Sequence, residues 1–168
     1  MTVLPATDVR AVVEEELVAA RAWASRNAVG LEWIPDALEL RMTLSQLATA
    51  EDFFFRGRFD DYQAIAPHWQ CVSGAWAGGD VLSDYPKPQE GLPRPSIYLV
   101  HAVAGVRTPV ICAPFNRLAY SEHKGPHGDW GAPANWLAAR QGHVRATTIP
   151  DMLSVIQLHF LTTRGRHA

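Results

Sequence analysis

The chain has 168 residues, 48% of them hydrophobic and 19% charged, with 15 Lys and Arg against 17 Asp and Glu for a formal net charge of -2. Such a length suits one domain on the rough scale of about 100–200 residues each and buries roughly two-thirds of the unfolded surface without a disulfide or metal staple, while the near-neutral balance lacks the basic surplus that nucleic-acid phosphates demand. The apolar runs fall short of the roughly 20 residues of a membrane span and Met1–Pro5 shows no basic segment leading into an apolar stretch, so no membrane contact and a cytoplasmic location are expected.

In chain order, Thr7 or Asp8 suits a helix N-cap. Val9, Val13, Leu17, Ala20 and Ala24 then recur at helical spacing, with Glu14, Glu15, Arg21 and Arg26 on other faces. This predicts an amphipathic helix ending near Asn27–Gly30, where glycine supplies a positive φ. From Leu38 the period becomes two: Leu38, Leu40, Met42 and Leu44 alternate with polar residues, as in a half-buried antiparallel strand. Aromatic-rich Phe53–Arg58 and then Trp69–Ser73 continue a meander, and Cys71 lies mid-strand as a core residue. Residues 74–95 are rich in Gly and Pro and read as an irregular connection. Ile97–Val103 is the fourth strand of the meander, and Thr108–Ala113, holding Pro109 and leading into Pro114, is an edge strand or extended flap. Residues 114–147 are too broken by Gly125, Pro126, Gly128, Gly131 and Pro133 to be regular for long. Thr148 caps a last helix with Pro150 in its first turn and Ile149, Met152, Leu153, Ile156 and Phe160 on one apolar face. The pattern predicts a single α+β domain over residues 1–168, with its core between about 8 and 163 and its helices on one side of an antiparallel sheet.

Chemistry concentrates in residues 111–130. A loop dense in functional side chains suggests a site built on a scaffold. Cys112 is the candidate nucleophile, because a thiolate attacks acyl carbon well and needs only partial activation. His101, His123 and His127 are candidate bases. The competing reading makes Cys112 a small apolar residue at the end of Val110-Ile111-Cys112, since free cysteine is often buried. A third reading takes Cys112, His123 and His127, spaced C-x10-H-x3-H, as metal ligands with Asp129. A Gly-Pro pair between the two histidines keeps them off one helix face. For His68, His143, His159 and His167 a surface or hydrogen-bonded role is expected.

The order of these features resembles that of the ubiquitin-conjugating (UBC-like) fold: an opening helix, a four-strand antiparallel meander, a proline-bearing turn ahead of the third strand, a cysteine-bearing flap and a C-terminal crossing helix. Phe59-Asp60-Asp61-Tyr62-Gln63-Ala64-Ile65-Ala66-Pro67-His68-Trp69 resembles the family's F-x-x-x-YP-x-x-PP stretch, with Gln63 in place of the first proline. Cys112 after Val110-Ile111 resembles the thioester cysteine, and Trp130 or Trp136 followed by residues 148–156 resembles the family's tryptophan and crossing helix. The family's His-Pro-Asn ahead of the cysteine has no match; His101 lies eleven residues ahead, followed by Ala102 and Val103.

The resemblance implies a divergent bacterial-type member, of the kind found in antiphage or ubiquitin-like modification operons. It implies a transferase that receives a ubiquitin-like modifier from an activating enzyme as a thioester on Cys112 and passes it to an amine. Asn116 would replace the missing oxyanion donor, and His127 or Asp129 would ease deprotonation of the amine. Adenylation falls to the activating partner, so no cofactor is expected and no GxxxxGK[ST] phosphate loop occurs. Two alternatives stand beside it: a non-catalytic UBC-like binding module, and a metal-dependent hydrolase using Cys112, His123 and His127.

Overall fold

Alternating apolar and polar residues build the sheet of the computed structural model, which describes residues 6–92, 96–140 and 145–168. Strands β1 (Gly30–Ile34), β2 (Glu39–Gln46), β3 (Glu51–Arg58) and β4 (His68–Val72) form an antiparallel sheet in sequential order. Its register aligns Leu40 with Gly57 and Trp69, Met42 with Phe55 and Cys71, and Leu44 with Phe53. These residues share one face because side chains alternate along each strand. That face is buried, and Gly57 leaves the room that the Trp69 ring occupies: a Cβ there would lie 2.8 Å from it.

Helix α1 (Ala6–Arg26) buries the five apolar positions expected of it, Val9, Val13, Leu17, Ala20 and Ala24. It begins at Ala6, so Thr7 and Asp8 lie inside the first turn and are not its cap. The turn after it is made by Ala28 at φ 54°, while Gly30 already opens β1. Helix α2 (Ile149–Phe160) is capped by Thr148, whose hydroxyl accepts from the Asp151 N–H, and it buries Ile149, Met152, Leu153, Ile156 and Phe160. The Phe160 ring meets Phe53 and Phe55 edge-on at 5.2 and 6.0 Å. The helices are also joined through a carboxylate: Glu16 of α1 accepts the Ile149 N–H at 2.6 Å and the Tyr62 hydroxyl at 3.1 Å. One orphan donor of the α2 N-terminus is thereby satisfied from 133 residues away.

The fold is thus mixed α+β with an N-terminal helix, a four-strand antiparallel sheet and a C-terminal helix. Membership of the sheet differs from the expectation at one end. Its first strand is Gly30–Ile34, and the segment read as a fourth strand, β6 (Tyr98–Val103), leaves the meander to pair with β7 (Val106–Ile111) as a separate antiparallel hairpin. Within the connection read as irregular, β5 (Pro86–Pro88) pairs with β8 (Thr163–Arg166). The buried apolar residues form one cluster from Val9 to Phe160, and among the described residues no helix is long and apolar enough to cross a membrane.

His68, at the start of β4, is half-buried and hydrogen-bonds the Gln70 side chain, in keeping with the hydrogen-bonded role expected of it. Its Nε2 is buried with no hydrogen-bond partner among the described residues. Burial, then the charges of Arg117, Arg58 and Arg56, pushes it down to about 4. The folded protein therefore favours the neutral ring and the unfolded chain binds the proton more readily. The stability this supports is complete above the unfolded value near 6.5 and is lost as pH falls toward 4. Urea unfolding at pH 7.5, 5.5 and 4.5 should show wild type losing stability relative to His68→Gln at the two lower values; parallel pH dependence of the two proteins would refute this. His159 is buried and His167 half-buried, whereas His143 lies outside the described residues.

Candidate active site

Cys112 follows directly on β7, and its N–H donates to the Ile97 carbonyl at 2.7 Å, continuing the hairpin by one residue. Beyond it the chain turns at Pro114 and makes two short 3-10 turns, Arg117–Ala119 and Ser121–His123. It then doubles back: the Gly125 N–H donates to Tyr120 O at 2.9 Å, and the His127 N–H to Ala119 O at 3.0 Å. Glycine is required at 125, since a Cβ there would lie 2.3 Å from both the Ala119 carbonyl carbon and the Leu118 carbonyl oxygen. This tight return carries His127 to the cysteine. Its Nε2 lies 2.9 Å from Cys112 Sγ and its Nδ1 lies 3.2 Å from Asp129 Oδ1.

A thiol, an imidazole and a carboxylate are therefore in line. The carboxylate can only accept, so it fixes the proton of a neutral imidazole on Nδ1 and turns the lone pair of Nε2 toward the sulfur. That is the tautomer able to take the thiol proton. Asp129 is 76% exposed and the His127 side chain 23%, whereas Cys112 is fully buried, so the row runs from solvent inward to the sulfur.

Asn116 does not serve as an oxyanion donor. It is fully buried, and both amide hydrogens are used, donated to Trp69 O at 3.0 Å and Ile111 O at 2.8 Å. Its oxygen accepts from the Trp69 N–H at 3.0 Å and the Leu118 N–H at 3.3 Å. The side chain thus completes its hydrogen-bonding capacity while tying β4 to the residue before Cys112. The N–H groups of Cys112 and Ala113 are also engaged, with Ile97 O and Ile111 O.

His101 and His123 are not brought to the sulfur. Both line a neighbouring cleft of about 470 Å³ with Asp80, Thr108, Leu118 and Lys124, which Cys112 and His127 do not line. His123 instead approaches Glu122 at 3.6 Å. The expected ligand set Cys112, His123 and His127 does not assemble either: among the described residues no three His, Cys, Asp or Glu side chains are grouped to hold a metal ion. Cys71 is fully buried in β4, where burial pushes its thiol well above the ordinary range, so it remains a neutral core residue.

Sequence reasoning missed two contributors. Trp130 stacks on His127 with ring centroids 3.8 Å apart and planes 2° apart, and Tyr120 closes on Trp130 edge-on while donating its hydroxyl hydrogen to Pro114 O at 2.7 Å. No protein-family model, curated protein or solved structure matches the chain.

Proposed function

We propose that the protein is a cysteine-dependent acyl transferase that carries a ubiquitin-like modifier as a thioester on Cys112 and passes it to an amine. The observation that carries this reading is the 2.9 Å approach of His127 Nε2 to Cys112 Sγ, with Asp129 on the opposite ring nitrogen. The arrangement of nucleophile, base and orienting acceptor serves acyl transfer. The order helix, four-strand antiparallel sheet, cysteine loop, helix supports the UBC-like assignment.

In the loading step His127 takes the Cys112 proton, and the thiolate attacks the thioester carbonyl presented by an activating enzyme. The C–S bond to that enzyme breaks, and its leaving thiolate receives the proton from His127. In the discharge step an acceptor amine attacks the Cys112 thioester, the amide forms, the Cys112 thiolate leaves, and the amine proton passes to His127 and on to the sulfur. Because Cys112 is sealed in the resting state, loading requires a path to the sulfur to open while His127 keeps its contact with it.

The full burial of Cys112 favours a second reading, the non-catalytic UBC-like binding module. A ubiquitin-like protein and a short peptide, each activated as a C-terminal mercaptoethanesulfonate thioester, separate the two. The transferase gives a thiol-sensitive adduct of the expected mass on Cys112 in wild type and none in Cys112→Ala. Persistence of the adduct in Cys112→Ala, or its absence from wild type with both probes, would sink the proposal.

A further inference from the structure

We propose that Trp130 is a positioning residue of the Cys112 site: its indole holds the His127 ring in register with the sulfur and favours the charged imidazolium that forms when Cys112 gives up its proton. The inference rests on the reading of Cys112 as a nucleophile and extends it to a side chain that touches no reacting atom.

His127 lies in irregular chain, where nothing in regular secondary structure limits rotation about its two side-chain torsions. Its hydrogen bond to Asp129 is a weak restraint, because a carboxylate 76% exposed is well hydrated and screened. The stronger restraint is the parallel stack, 3.8 Å between centroids with planes 2° apart. Trp130 is nearly buried and backed by the Tyr120 ring at 5.3 Å, so the platform is itself held. Tyr120 donates to the carbonyl of Pro114, two residues beyond Cys112. The contacts close a circuit from Cys112 through Pro114, Tyr120, Trp130 and His127 back to the sulfur, so displacement of any member is opposed by the others.

The stack also acts on charge. An aromatic face carries negative potential and attracts a cation lying over it, most strongly for tryptophan. Proton transfer from Cys112 turns the ring over that face into a cation. The groups at hydrogen-bond distance from it are Cys112 at the end of β7 and Asp129 in the same loop, both of which also favour positive charge once the thiol has ionised. His123 and Lys124, earlier in the loop, and His101 of β6 border the adjoining cleft.

The test follows Cys112 alkylation by iodoacetamide across pH 5.5–8.5, read by mass spectrometry of the Cys112 peptide. At pH 6.5, Trp130→Leu should slow the reaction by roughly three- to tenfold and move its pH profile upward, while Trp130→Phe, which keeps a ring face, should stay within about twofold of wild type. A folded Trp130→Leu with the wild-type rate and profile, or a Phe variant as slow as the Leu variant, would overturn the proposal. A second readout needs no change at 130: a protonated imidazole in contact quenches indole emission. Wild type should show a pH-dependent fluorescence step that His127→Gln lacks, and an unaltered step in His127→Gln, or no step in wild type, would equally overturn it. If the step is present but the thioester probes leave Cys112 unmodified, the transferase reading fails while the hold of Trp130 on His127 stands.

Discussion

Alanine at His127 should slow thioester formation on Cys112 by about 10²- to 10⁴-fold, the range that a positioned general base contributes, whereas Asp129→Asn should cost only about three- to tenfold. The two residues differ in surroundings. His127 Nε2 meets a sulfur with no exposed surface, so no solvent molecule can replace it as proton acceptor in the resting arrangement. Asp129 is 76% exposed, and water screens its charge and competes for its hydrogen bond. A buried carboxylate in a catalytic triad can be worth about 10⁴; an exposed one acts mainly on the tautomer and orientation, which Trp130 also restrains. Single-turnover transfer from a peptide thioester, measured for both variants at pH 7, checks the ranking. An Asp129→Asn defect as large as that of His127→Ala would show that the acidic group carries charge stabilisation that its exposure does not suggest.

Replacing Asn116 by alanine should destabilise the protein by about 3–5 kcal/mol, a sizeable part of the roughly 5–15 kcal/mol that holds a domain together. The change removes four hydrogen bonds and leaves the Trp69 N–H and C=O and the Leu118 N–H short of a partner, while the Ile111 C=O keeps the Ala113 N–H. Each such group, if buried, costs about 1–3 kcal/mol, offset in part by relaxation and by entry of water. Asn116→Asp should also be strongly destabilising, because the carboxylate keeps the two acceptor contacts but faces two carbonyl oxygens in place of donating to them. Chemical denaturation checks both. A loss below about 1 kcal/mol for alanine would mean that the loop beyond Cys112 is held mainly by its other ties, the Tyr120 hydroxyl and the Arg117–Asp60 ion pair.

The helices were readable from the chain because their signal is local. Apolar residues at three- and four-residue spacing state which face is buried, and the Thr148 cap and Pro150 state where α2 begins. The alternation in Leu38–Leu44 gave β2 for the same reason. Gly30–Ile34 was not readable: the alternation of Leu31 and Trp33 with Gly30 and Glu32 spans only four residues of a partly buried edge strand, too short a run to mark a strand by itself. The pairing of Tyr98–Val103 was misassigned because strand partners are chosen by tertiary contacts, here the Tyr98 hydroxyl on Ile156 O and the return of the chain through β7.

At the site, Cys112, His127 and Asp129 stood out by residue type within a Gly- and Pro-rich stretch. Which of three histidines meets the sulfur depends on the chain doubling back at Gly125, a steric fact invisible in spacing. Asn116 illustrates the opposite error. An amide near a nucleophile suggests a donor to substrate, yet a buried amide surrounded by backbone groups saturates itself with them.

The carboxylate that Glu16 lends to the first N–H of α2 has a consequence for how the molecule assembles. Residues 16 and 149 bracket the whole sheet, the β6–β7 hairpin and the cysteine loop, so their contact closes a loop of 133 residues. The entropic cost of closure grows only slowly with length, but it precedes any gain from the contact. Formation of the last helix is thereby coupled to docking of the first through a contact distant in sequence. During synthesis the cysteine loop emerges before residues 149–160, so α2 docks against α1 only after that loop is already part of the chain.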